Sequence, residues 1–238
     1  LFDHVTDAGR AVSAMIAAGL VPRCLELMDA RALGAVRARG VPVDDRAGAM
    51  LLIEADGDVA TTEAAMERIG EACVAARALD VLVAQDASQH ARLWAARRAL
   101  SPATRAMARY KISEDVVVPR MRLSDLLAEI DRISEETRVS MLSYGHAGDG
   151  NLHVNFLWDD PDASVRVERG LDRLFRAVVS MRGTLTGEHG VGSSKAEYLV
   201  LEQSSELIEL QRDIKRVFDP KNLLNPYKMF PRRGHGVC

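Results

Sequence analysis

Two histidines, His146 and His153, stand on either side of an Asp-Gly pair in the stretch YGHAGDGNLHVNF, and a third, His189, follows a glutamate in TGEHGVG. Imidazoles grouped in this way suggest a metal site. If Asp149-Gly150 is a two-residue type I′ turn, the turn that Asp-Gly favours, His146 pairs directly with His153 and Tyr144 with Asn155. Directly opposed residues share one face of a sheet with Cβ atoms about 4.5–5.5 Å apart, which brings two imidazoles within reach of one ion. A hydrogen-bonded core pair or an exposed cross-strand pair would read the same way from these residues. A third ligand has to come from elsewhere. The stretch GTLTGEHGVGSSK offers both Glu188 and His189 among glycines that let the backbone bend and approach closely. Two histidines and a carboxylate with open positions bind Zn²⁺, Fe²⁺ or Mn²⁺ as a Lewis acid. The same glycines compete as a phosphate cradle, but Ser193 follows Gly192 where a Walker loop needs lysine, so only a weak anion-binding nest is left.

The densest basic region is Arg92, Arg97, Arg98, Arg105, Arg109 and Lys111, on and after a helix that contains Trp94. Most such runs are a solvated helix face. One subset bears on chemistry. Arg97 and Ser101 are i, i+4 neighbours on one helical face, although Ser101-Pro102 also reads as an N-cap followed by proline at the first helical position. Lys111 opens the strand KISEDVVVP, where Glu114 and Asp115 are available as structural partners. An arginine and a lysine beside a metal suit a substrate carboxylate: arginine grips it bidentately while the metal takes a neighbouring hydroxyl.

Elements must bring these residues together. Helical periodicity predicts helices over 5–19, 30–40, 61–79, 89–109, 123–137, 164–182 and 205–217, alternating with apolar runs that read as strands: RCLELMD, AMLLIEAD, DVLVAQD, KISEDVVVP, VSMLSYGH and LHVNFLW. The last two form a hairpin and the others are separated by helices, which indicates an α+β fold with a largely antiparallel or mixed sheet covered by helices. No GxGxxG follows a strand, which argues against a dinucleotide-binding Rossmann domain. Linkers are short, and nothing divides the chain into independent units.

With 238 residues the chain can build a sizeable core without staples. A net charge of −3 gives no general attraction for nucleic acid or an anionic membrane, which favours small-molecule chemistry. Cys24, Cys73 and Cys238 are odd in number and widely spaced, so neither a disulfide framework nor a cysteine zinc site is indicated and a reducing compartment fits. No apolar run reaches the roughly 18–20 residues that span a bilayer, and no signal peptide is visible. The chain opens on Leu directly before a helix and reads as a piece of a longer protein.

Taken in order, KISEDVVVPR, YGHAGDGNLHVNF, GTLTGEHGVGSSKAEYL and FDPKNLLNPYKMF resemble the C-terminal half of the FAD-linked D-2-hydroxy-acid oxidoreductases. These are the glycolate oxidase FAD-linked subunits, the cytochrome-type D-lactate dehydrogenases and the D-2-hydroxyglutarate dehydrogenases, of the vanillyl-alcohol oxidase type. The resemblance covers the whole of residues 1–238. It implies a ferredoxin-like α+β domain with a C-terminal helical segment, capping the substrate side of a flavin ring. It further implies His146, His153 and Glu188 as ligands of a divalent metal, zinc first, with iron or manganese as alternatives. His189 becomes the base that takes the hydroxyl proton while hydride passes to FAD N5. Arg97, Ser101, Lys111 and Asn155 become contacts of the substrate pocket, and Asn225 in LLNP a contact of the flavin edge.

The substrate so implied is a small D-2-hydroxy acid, glycolate or D-lactate, oxidised to the 2-oxo acid. The implied partners are the protein's own N-terminal FAD domain, other oxidase subunits and an electron acceptor, with no nucleic acid and no transmembrane segment. A cytoplasmic location is expected, with peripheral attachment to a membrane left open. The upstream FAD domain is not in this chain, which alone is expected neither to hold FAD tightly nor to turn over. Two readings of other classes remain: a metallohydrolase in which the same metal activates water, and a non-catalytic ferredoxin-like binding module.

Overall fold

The chain runs α1 (Val5–Ala17), β1 (Cys24–Asp29), α2 (Ala30–Arg37), β2 (Ala49–Glu54), α3 (Val59–Ala75), α4 (Ala87–Arg105), β3 (Tyr110–Val117), α5 (Leu123–Thr137), β4 (Ser140–His146), β5 (Asn151–Trp158), α6 (Ser164–Ser180), α7 (Leu199–Glu202) and α8 (Ser205–Phe218). This is a computed structural model, and it describes residues 1–231; Cys238 lies outside the described residues. The strands form one sheet in the order β2-β1-β4-β5-β3, every neighbouring pair antiparallel, so the α+β, ferredoxin-like expectation holds. No described helix is long and apolar enough to cross a membrane.

Each element has a local cause. In α5, Leu123, Leu126, Leu127, Ile130 and Ile133 recur at helical spacing and are all buried, and the helix stops where Arg138 turns left-handed at φ 54°. Asp29 ends β1 and caps α2, accepting from the N–H of Ala32 at 2.8 Å and also from the N–H of Ser143 on β4. Burial pushes its carboxyl up to about 7, with the two backbone donors opposing. One face of the sheet packs Leu27, Met141, Val154 and Phe156 against α1, α5 and α6. The other face packs Met28, Leu142 and Tyr144 under Leu33 and Val36 of α2 and Leu100 of α4. A fully buried Phe or Leu of this kind contributes about 1.5–3 kcal/mol, so both layers hold the sheet between them.

Two expectations need correction. The hairpin turn has four residues, Ala147 to Gly150, not two, so Tyr144 pairs with His153 and His146 with Asn151, and Leu142 takes Asn155. Gly150 explains this. It sits at φ 82°, its carbonyl accepts from Val118 N–H, and a Cβ there would lie 2.1 Å from the Val118 carbonyl oxygen, so it is drawn toward the end of β3. Second, DVLVAQD forms no strand, and Val81, Leu82 and Val83 are substantially exposed. The apolar pattern is present, but among the described residues no strand lies beside it to pair with.

Candidate active site

Because strand side chains alternate with period two, antiparallel pairing puts Glu26, His146, His153, Asp115, Ser113 and Lys111 on one face of the sheet. His146 and His153 are diagonal neighbours, and their rings meet edge-on with centroids 5.5 Å apart. Glu188 arrives on the glycine-rich loop after α6. Its Oε1 lies 3.8 Å from His146 Nε2 and 3.5 Å from His153 Nε2. One donor atom from each of the three falls within 4.8 Å of the others. Donors about 2.0–2.2 Å from a tetrahedral centre stand about 3.4 Å apart, so this set fits a divalent ion with small adjustments.

Glu26, which the sequence reading passed over, carries much of the site's order. Its Oε1 meets His146 Nδ1 at 2.5 Å and its Oε2 accepts from Arg97 Nε at 2.5 Å. Holding Nδ1 leaves His146 Nε2 facing Glu188, the arrangement that presents a lone pair to a metal. The hydrogen bond to Glu26 raises the His146 pKa against the opposing effect of burial. Burial lowers that of His153, with the nearby His146 adding to it, and the buried His153 Nδ1 has no hydrogen-bond partner among the described residues. The only sign of Glu26 in the sequence is an acid at a buried position of the apolar strand CLELMD.

The loop that brings Glu188 and His189 is anchored by Asp115, also not singled out as a site residue. Its Oδ2 accepts from the backbone N–H groups of Gly187, Glu188 and His189 at 2.7, 2.7 and 3.1 Å. Its Oδ1 meets the ammonium of Lys195 at 2.5 Å, and Lys195 is itself buried, with a second contact to Glu114 at 3.3 Å. Burial would raise the Asp115 pKa, but Lys195 and the backbone donors outweigh it and hold the carboxyl well below its usual range. Asp115 and Glu114 therefore serve Lys195, not Lys111, which instead donates to Thr104 at 2.8 Å. Gly187 is required for close approach: a Cβ there would sit 2.6 Å from the Asn151 side chain.

Between this loop, the sheet and α4 opens a cleft of about 560 Å³, lined by Arg97, Ser101, Arg105, Lys111, Ser113, Tyr144, His153, Glu188 and His189. The structure thus brings together most of the residues singled out in the sequence and adds Arg105. His189 stacks on His153 with centroids 5.3 Å apart, its Nε2 3.7 Å from Glu188 Oε1 and its Nδ1 3.8 Å from Asp115 Oδ1. Burial lowers the Lys111 pKa, with Arg105 adding to it. Asn155 shares the face but is fully buried beneath it, donating to the His153 carbonyl at 3.1 Å, with its Oδ1 unpartnered among the described residues. Asn225 is not brought to the cleft; it lies in an exposed turn at φ 46°.

A family model described as FAD linked oxidases, C-terminal domain, matches residues 1–229. The chain is 38% identical over 240 residues to glycolate oxidase subunit GlcD of Bacillus subtilis, covering 98% of this chain and 50% of that protein. To D-lactate dehydrogenase of Anaerostipes hadrus it is 33% identical over 186 residues, covering 76% of this chain and 39% of that protein. Among solved structures it resembles p-cresol methylhydroxylase with substrate bound, at TM-score 0.70 and 10% identity, covering 100% of this chain and 53% of that one. It also resembles the isoeugenol complex of 4-ethylphenol oxidase from Gulosibacter chungangensis, at TM-score 0.68 and 15% identity, covering 98% and 53%. At such identities the structural likeness speaks for the fold alone. The chain spans about half the length of the glycolate oxidase subunits it matches.

Proposed function

Because this chain belongs to the family of FAD-linked oxidase C-terminal domains, we propose that it is the substrate- and metal-binding half of an oxidoreductase that oxidises a small D-2-hydroxy acid, glycolate or D-lactate, to the 2-oxo acid. The observation that carries this reading is the meeting of His146, His153 and Glu188 at the wall of a cleft that also holds Arg97, Arg105 and Lys111. A 2-hydroxy acid presents a carboxylate and a hydroxyl on adjacent carbons, and the cleft offers cations for the first beside a metal-binding set for the second. A divalent metal in that set, zinc first by its nitrogen and oxygen donors, would supply Lewis acidity to the hydroxyl, while FAD on an N-terminal half supplies the hydride acceptor.

This chain's own residues bind, orient and move a proton. Arg97 uses Nε on Glu26, and its terminal nitrogens remain for the carboxylate, so Glu26 sets the direction of both the guanidinium and the His146 ring. Arg105, at the C-terminal end of the same helix as Arg97, and Lys111 of β3 add further positive charge to the cleft. His189 takes the hydroxyl proton at Nε2, which faces the triad, while Nδ1 is turned toward Asp115. An N-terminal FAD-binding half also has a surface to cover here. Helix α8 turns Leu210, Ile214, Val217 and Phe218 to solvent.

The purified wild-type protein is expected to retain about one divalent metal per chain, and His153→Ala to lose it, because a three-ligand open site has no spare donor. Elemental analysis decides the matter: equal metal in the two proteins would remove the triad from the reading. In the full-length enzyme Arg97→Ala is expected to raise KM by about 30- to 150-fold, the equivalent of 2–3 kcal/mol for a charge-assisted contact, with a smaller fall in kcat. Steady-state kinetics with D-lactate or glycolate tests it, and an unchanged KM would place the carboxylate elsewhere.

A further inference from the structure

The unformed strand at 80–86 has a visible cause at the other end of the chain. Phe2 bonds to the outer edge of β2: its N–H donates to the Ala49 carbonyl at 2.9 Å and its carbonyl accepts from Ala49 N–H at 3.0 Å. One residue earlier the direction reverses. The Leu1 carbonyl accepts from Leu79 N–H at 2.8 Å, and the Leu1 amino group donates to the Asp80 carbonyl at 2.8 Å. Bonding to one neighbour at one residue and to the opposite neighbour at the next is what an interior strand of a sheet does. Leu1 and Phe2 therefore bond as two residues of an interior strand would, between β2 and residues 79–80.

Ahead of Leu1 the slot continues. Leu51 and Ile53 turn their N–H and C=O groups the same way as Ala49, away from β1, and no described backbone group meets them there. Opposite, the amides of 81–84 make no backbone hydrogen bond among the described residues. Met66, Ile69 and Cys73 of α3 close the slot on one side and Leu93 of α4 on the other. It is a strand-wide groove with two hydrogen-bonding edges and two apolar walls. Left open, such edges invite pairing with another chain.

We propose that the polypeptide immediately preceding Leu1 in the full-length protein fills this slot as a β-strand, antiparallel both to β2 and to residues 80–84. The five-stranded sheet then gains that strand and the 80–84 segment as its new edge. With apolar walls on both sides, the occupant is an unbroken apolar run of about five residues rather than an alternating one. A preceding segment is favoured over a second copy because it is continuous with Leu1 and Phe2, already seated with the alternating bonds of an interior strand. The matching family model is described as a C-terminal domain and the chain spans about half of the glycolate oxidase subunits it matches, which favours chain ahead of Leu1 as the occupant. The functional consequence is rigidity. The connection to the N-terminal half is built into the sheet that carries His146 and His153, so the cleft is held over the cofactor half by a shared strand and not by a free linker.

The inference rests on the reading of a longer protein only in needing chain ahead of Leu1, and it is independent of metal, flavin and substrate. Backbone hydrogen–deuterium exchange on the natural full-length protein tests it. The alternate amides of 81–84 that face the slot, and those in the preceding segment, should exchange on the order of 100-fold more slowly than unstructured peptide, while the outward amides of the new edge exchange freely. Free exchange at every amide of 81–84 would overturn the proposal. So would protection that disappears on dilution as a dimer dissociates, since the occupant would then be a second copy. Flavin content is measured on the same sample: a colourless protein with slow 81–84 amides would uphold the shared strand while removing the FAD reading.

Discussion

On the proposed reading, His189→Asn in the full-length protein is expected to lower the rate of flavin reduction at saturating D-lactate or glycolate by about 10²- to 10⁴-fold, the usual contribution of a positioned general base. The variant is expected to bind metal as the wild type does, because His189 stacks on His153 without being one of the three converging donors. Asparagine preserves a polar side chain of similar reach but cannot take the proton, so the loss falls mainly on kcat and less on KM. Stopped-flow reduction across a range of substrate concentrations separates the two. Reduction at the wild-type rate in the saturated variant would pass the proton to another group, and the cleft would then be a binding site only.

The second large effect is expected from Asp115→Ala. That change leaves the Lys195 ammonium buried with Glu114 as its remaining acidic partner and strips the N–H groups of Gly187, Glu188 and His189 of their acceptor. Breaking a buried ion pair from one side costs about 3–5 kcal/mol, which for a chain of this size lowers Tm by roughly 6–20 °C. Metal retention is expected to fall with it, since Glu188 loses the anchor of its loop. Asp115→Asn keeps an acceptor and the shape, and should lie between wild type and alanine in both measurements. Calorimetry and elemental analysis on the three proteins provide the test. An alanine variant that melts within a degree of wild type and keeps its metal would show that the loop is held by something else.

The contrast between His189 and Asp115 shows what kind of residue could be read from the chain itself. His189 sits in a run of glycines beside a glutamate, and the histidines of the hairpin sit in an alternating strand pattern. These are local signals, visible within a dozen residues. The helices at α5 and α8 were legible for the same reason, since a stripe repeating every three or four residues needs no partner to be recognised. Asp115 and Lys195 carry no such mark. Each is an ordinary charged residue until the fold buries one against the other across 80 positions of chain.

The hairpin shows where the division falls. Its sequence determined that His146 and His153 share a face, because side-chain direction alternates along each strand and any register that keeps the parity keeps the face. The sequence did not determine that they would be diagonal rather than opposed. That depended on Gly150 being drawn to the Val118 carbonyl, a contact between two strands that are not joined by the turn. In the same way DVLVAQD has the composition of a strand, yet a strand exists only where a neighbour supplies hydrogen bonds, and the described chain supplies none at 81–84. Glu26 marks the limit most clearly. Its role depends on β1 lying beside β4 and on α4 crossing above, so that one carboxylate touches His146 and Arg97 at once. Local periodicity determined which residues could face the site; long-range pairing and packing decided which of them meet, because a contact distance is a property of two elements together and not of either alone.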